Sequence, residues 1–134
     1  MPAYLAAQNE LIVGDGLVVE APAGEGPYVV VFEDDEETGY FYALDTSGAG
    51  NPIQTALHIY DVESVADRDK PSTVKIAWSE DHRKALLLIN DYPHAVFDFE
   101  ARQGHNRTGF PLPTDNGWSH ASQEWDDSAL RHFA

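Results

Sequence analysis

A chain of 134 residues, 43% of them hydrophobic, is long enough to bury a core as a single domain, and its lack of cysteine excludes disulfides and thiolate metal sites. Only 8 Lys and Arg stand against 23 Asp and Glu, a net charge of −15, and the first basic residue is Arg68, so residues 1–67 carry 13 carboxylates and no Lys or Arg. Such a field repels nucleic acid and anionic lipid and attracts cationic surfaces, and no apolar run approaches the roughly 20 residues needed to span a bilayer.

The amino terminus lacks a basic segment followed by a long apolar one, so a soluble, cytoplasmic protein is expected, in keeping with the absence of cysteine. Leu11 to Val13 reads as a short strand or helical turn. Gly14-Asp15-Gly16 then suits a tight turn into Leu17 to Glu20, followed by an Ala/Pro/Gly loop at 21–27. The glycine spacing matches neither the dinucleotide fingerprint nor the Walker pattern, and Asp15 would sit against a phosphate.

Tyr28 to Phe32 and Tyr40 to Leu44 are β-branched and aromatic runs that predict a hairpin. Its tip would carry five consecutive carboxylates, Glu33, Asp34, Asp35, Glu36 and Glu37, with Gly39 available for a left-handed position. The stretch from Ile53 to Val65 mixes helical spacing (Ile53, Ala56, Leu57, Tyr60) with strand formers. The expectation is a turn through Asn51 to Thr55 that feeds a strand from Ala56 to Val62.

Ser72 to Glu100 predicts an antiparallel meander. Val74, Ile76 and Trp78 alternate with polar or small residues. Leu86 to Ile89 is apolar on both faces, as a central strand should be, and Ala95, Phe97 and Phe99 alternate with Val96, Asp98 and Glu100. Beyond Glu100, Gly and Pro predict irregular chain anchored by Phe110, Leu112 and Trp118. A terminal helix is expected after the N-cap Ser122, with Trp125, Ala129, Leu130 and Phe133 on one face. The predicted fold is α+β, mainly an antiparallel sheet of about six to eight strands with the carboxy-terminal helix packed on it, as one domain over residues 1–134.

The chemistry-bearing residues favour binding over catalysis. His58, His82, His94, His105, His120 and His132 are dispersed, the acidic tip lacks the alternation of a calcium loop, and no nucleophile elbow is present. No metal site or cofactor is expected. Three surfaces are candidates for recognition: the acidic tip from Glu33 to Glu37; the turn from Asn90 to His94, with Asp91, Tyr92 and His94; and the polar cluster Arg102, His105, Asn106 and Arg107, which would pair with the protein's own carboxylates or hold an anion.

Val31 to Asp45, Ala56 to Val62, Trp78 to Phe99 and Arg107 to Pro111 together resemble a family of small acidic bacterial proteins that carries only a domain-of-unknown-function label. In size and charge the chain is also similar to immunity proteins that neutralise toxins. The expected function is a non-catalytic module that binds a basic protein, with an immunity-type inhibitor of a basic toxin as its concrete form. The alternative is a small-ligand-binding protein or a small enzyme without a recognised motif. Oligomeric state is left open.

Overall fold

The computed structural model describes residues 3–24, 26–47, 53–65, 69–79, 82–100, 102–106 and 119–120. They form β1 (Ala3–Leu11), β2 (Leu17–Pro22), β3 (Tyr28–Asp34), β4 (Thr38–Asp45), β5 (Ile53–Asp61), β6 (Ser72–Ser79), β7 (Lys84–Ile89), β8 (Tyr92–Asp98), β9 (Gln103–Asn106) and β10 (Ser119–His120). The helical content of the described residues is a three-residue 3-10 turn, Val62–Ser64. The α+β expectation is therefore corrected to an all-β fold. The helix expected from Ser122 onward, and the anchors Phe110, Leu112 and Trp118, lie outside the described residues.

One sheet has six strands in the order β1-β6-β7-β8-β9-β10 and the other has four in the order β2-β3-β4-β5. All neighbours are antiparallel except β9 and β10, which run parallel. The meander from Ser72 to Glu100 forms as expected and β7 lies inside its sheet. What the sequence hid was β1. Its Ala-Tyr-Leu-Ala-Ala run has little intrinsic strand preference, and pairing with β6 from Ala3↔Ser79 to Leu11↔Ser72 holds it extended.

The turn at Gly14 and Gly16, whose φ angles are +89° and +86°, does not close a hairpin; it carries the chain from the six-stranded sheet into the four-stranded one. Three further boundaries differ from expectation. β5 starts at Ile53, because its ladder with β4 overrides the helical spacing, and Gln103–Asn106 pairs with β8 although its composition reads as loop. β3 and β4 also extend past the predicted hairpin arms, which shortens the tip to Asp35-Glu36-Glu37.

The sheets pack face to face over one core. Alternation sends Val74, Ile76 and Trp78 of β6, Ala85 and Leu87 of β7, and Ala95 and Phe97 of β8 inward to meet Val30 and Phe32 of β3, Phe41 and Ala43 of β4, and Leu57 of β5. Two ring stacks bridge the layers: Phe41 on Phe97 at 5.0 Å, and Tyr28 on Phe99 at 4.4 Å. Each fully buried aromatic contributes about 1.5–3 kcal/mol before chain entropy is counted. Leu86 and Val96 point the other way and form a second small cluster with Ala77 and Leu88, so β7 is apolar on both faces as expected.

Candidate functional site: the acidic end and the outer face of the four-stranded sheet

In β3 the inward parity of Val30 and Phe32 continues to Asp34, which is only 2% exposed. Its carboxylate accepts hydrogen bonds from the Gly14 amide (2.8 Å), the Glu36 amide (2.9 Å) and the Tyr60 hydroxyl (2.6 Å). Burial alone would raise the Asp34 carboxyl, but these bonds, with one from the Gly16 amide, outweigh it and hold the group below its ordinary value. Burial, followed by the bond to Asp34, pushes the Tyr60 phenol well above its ordinary value, so it stays a donor. Asp34 is thus a clasp that ties the β1–β2 turn and β5 to the β3–β4 hairpin.

The ring of Tyr60 lies over Gly39, where an added Cβ would stand 2.6 Å from ring carbon. Gly39 is therefore needed for close approach, and the left-handed residue of this hairpin is Glu36, with φ +82°. Asp35 caps the turn by accepting from the Glu37 and Thr38 amides. The Val62 amide donates to the Glu37 carbonyl (2.9 Å), which draws the 3-10 turn against the tip.

Three connections therefore meet at one end of the sandwich. They enclose a cleft of about 750 Å³ lined by Val13, Gly14, Glu36, Glu37, Thr38, Asp61, Val62, Glu63 and Ser64. Asp15, Asp35, Glu36, Glu37, Asp61 and Glu63 are all exposed at this end. Among the described residues, no group of three or more His, Asp or Glu side chains is arranged to hold a metal ion.

The outer face of the four-stranded sheet is the second notable surface. Val18, Val31, Glu33, Tyr42, Leu44 and Ile53 line an open groove of about 280 Å³. Tyr42 donates to Glu33 (3.1 Å), and burial, then the Glu33 and Asp35 carboxylates, push its phenol up to about 12. The Tyr40 ring lies 6.0 Å from that of Tyr42 and 5.8 Å from that of His58, whose Nε2 is 3.0 Å from the Asp61 carboxylate.

The five acids expected together at the hairpin tip are divided by strand parity. Glu33 faces outward beside Tyr42, Asp34 is buried, and Asp35, Glu36 and Glu37 form the exposed turn. Asn90 and Asp91, both at positive φ, make the two-residue turn between β7 and β8. Asn90 bonds the Thr73 backbone and Asp91 pairs with Lys75 at 2.6 Å, while Tyr92 is 55% exposed with its ring edge-on to His94. This turn lies at the end of the six-stranded sheet where β1 finishes, the same end as the acidic cleft.

Arg102 is exposed and its charge reaches Asp45, at the far end of β4 from the tip. His105, on β9, pairs through its backbone with Val96 of β8, and Arg107 lies outside the described residues. The structure thus does not bring Arg102 to the acidic tip. Sequence reasoning missed Asp15, Asp61, Glu63, Tyr40, Tyr42 and Tyr60. The Thr38↔Asp61 register and the bond from the Val62 amide to the Glu37 carbonyl place Asp61 and Glu63 beside the tip, and no local pattern contains either.

No helix among the described residues is long and apolar enough to cross a membrane. No solved structure matches the chain. A relative from Haemophilus influenzae, described as "Uncharacterized protein", is 49% identical over 86 residues, which is 64% of this chain and 53% of the relative, so the match spans about half of that protein's length. Residues 11–134 match the family described as an uncharacterized protein conserved in bacteria (DUF2251), and the chain belongs to that family.

Proposed function

We propose that this chain is a non-catalytic protein-binding domain whose acidic end receives a basic partner, its concrete form being an immunity-type inhibitor of a basic toxin in the cytoplasm. The observation that carries this reading is the convergence of six exposed carboxylates at one end of the sandwich, four of which, Glu36, Glu37, Asp61 and Glu63, line one cleft together with Val13 and Val62. Residues 1–67 contain no Lys or Arg to neutralise them. Charges so arranged steer a cationic surface from beyond contact distance, over about 8 Å at physiological salt.

The test begins with capture of partners from a bacterial lysate and continues with binding kinetics for the one retained. Glu36→Gln, Glu37→Gln and Glu63→Gln together leave the Asp34 clasp untouched. They are expected to slow association, flatten its salt dependence and change dissociation less. A wild-type association rate for the triple variant at low salt would sink the reading.

A further inference from the structure

We propose that the outer face of the four-stranded sheet is a docking surface for an extended, arginine-bearing segment of a protein. The inference rests on the basic-partner reading above and adds a second surface to it. Strand alternation turns Val18, Val31, Leu44 and Ile53 outward into one shallow groove, with Val18 55% and Ile53 47% exposed. Isolated exposed aliphatics are ordinary, but four that line one groove beside an aromatic row form an apolar patch of the kind that marks contact surfaces.

The row is Tyr42, Tyr40 and His58, with rings 5.8–6.0 Å apart, and it is flanked by the carboxylates of Glu33 and Asp61. The Tyr42 phenol keeps its proton, held up by burial and by the neighbouring carboxylates, so negative charge on this face comes from the acids alone. From Leu17 to Asp61 there is no Lys or Arg, whereas Lys75, Arg83 and Lys84 all belong to β6, β7 or the link between them.

Charge complementarity selects the occupant. A guanidinium is planar, stacks on a tyrosine face and at the same time donates two parallel hydrogen bonds to a carboxylate, which an ammonium cannot do. Alternating aliphatic and arginine side chains on an extended segment would fill the groove and reach the aromatic row together. A second copy of this chain would bring the same uncompensated acidic sheet and be repelled. The groove is open and, at about 280 Å³, falls just short of the roughly 300–1,000 Å³ of enclosed small-molecule sites.

The experiment uses the full chain, labelled with nitrogen-15, titrated with a capped Val-Arg-Val-Arg-Val-Arg peptide and with the same peptide carrying citrulline, a neutral isostere, in place of arginine. The arginine peptide is expected to perturb the amides of Val31, Glu33, Tyr42 and Leu44. Tyr42→Leu is expected to weaken it by roughly 2- to 30-fold, the range of a cation–π contact. Glu33→Gln should weaken it too, and serves if Tyr42→Leu does not fold. Equal binding of the citrulline peptide overturns the proposal. Perturbation confined to residues 35–37 and 61–64 overturns the sheet face while leaving the acidic-end reading standing, and no perturbation at either place counts against both.

Discussion

Trp78 Nε1–H donates a 3.0 Å hydrogen bond to the carbonyl of Ala21, 57 residues earlier, and both residues are fully buried. Ala21 also pairs with Val30 in the β2–β3 ladder, so the indole ties the four-stranded sheet to the facing one through a buried backbone carbonyl. Trp78→Phe retains a ring near Phe99 but removes this link between the sheets. It should cost about 0.5–1.5 kcal/mol for the lost hydrogen bond, with a further loss for the smaller ring, measured as a lower urea midpoint.

The Asp34 clasp makes stability depend on acid. Its carboxyl is held below the ordinary value of 3.8, so the unfolded chain binds the proton more readily than the folded one. The contribution is present above that ordinary value and is lost as pH falls through the lower folded value. Melting temperature measured from about pH 6 down to pH 3 should therefore drop more steeply for the wild type than for Asp34→Asn. Tyr60→Phe removes a donor to a charged acceptor and should cost about 1.5–3 kcal/mol at neutral pH, while also shallowing the acid drop.

Gly39 and Tyr60 occupy one another's space. Gly39→Ala places a Cβ 2.6 Å from the Tyr60 ring and should cost about 1–3 kcal/mol through overpacking. Since the displaced ring also loses its reach to Asp34, Gly39→Ala combined with Tyr60→Phe should be less than additive in chemical denaturation.

Leu87 and Leu88 sit on opposite faces of β7, the first fully buried in the main core and the second partly buried in the small outer cluster. Leu87→Ala should cost about 2–5 kcal/mol, and Leu88→Ala measurably less, because a half-buried site gives up less apolar area. Equal losses in urea titrations would mean that the outer cluster is packed as tightly as the core.

Much of the meander could be read directly. Period-two alternation put Val74, Ile76 and Trp78 on one face, and the same rule placed Phe97 and Phe99, because side-chain direction in a strand is a local property of the backbone. The β3–β4 hairpin was also legible, but its exact turn was not. Expecting all of Glu33 to Glu37 at the tip treats a charge run as a loop, whereas strand parity continues through Asp34 once Gly14 and Tyr60 supply the hydrogen bonds that make burying a carboxylate tolerable.

By itself the sequence determined that this is a strand-dominated, strongly acidic chain with its carboxylates crowded before Arg68, since composition and alternation need no knowledge of partners. Only the tertiary structure decided that β1 and β2 belong to different sheets, that Asp34 is a clasp while Asp35, Glu36 and Glu37 are surface, and that Asp61 and Glu63 join Glu36 and Glu37 in lining one cleft. Those outcomes depend on pairings such as Gly14 with Asp34, Thr38 with Asp61 and Trp78 with Ala21, across about 20 to nearly 60 residues. A local hydrophobic pattern says which way a side chain points, and only the closed set of long-range hydrogen bonds and packed faces says what it meets.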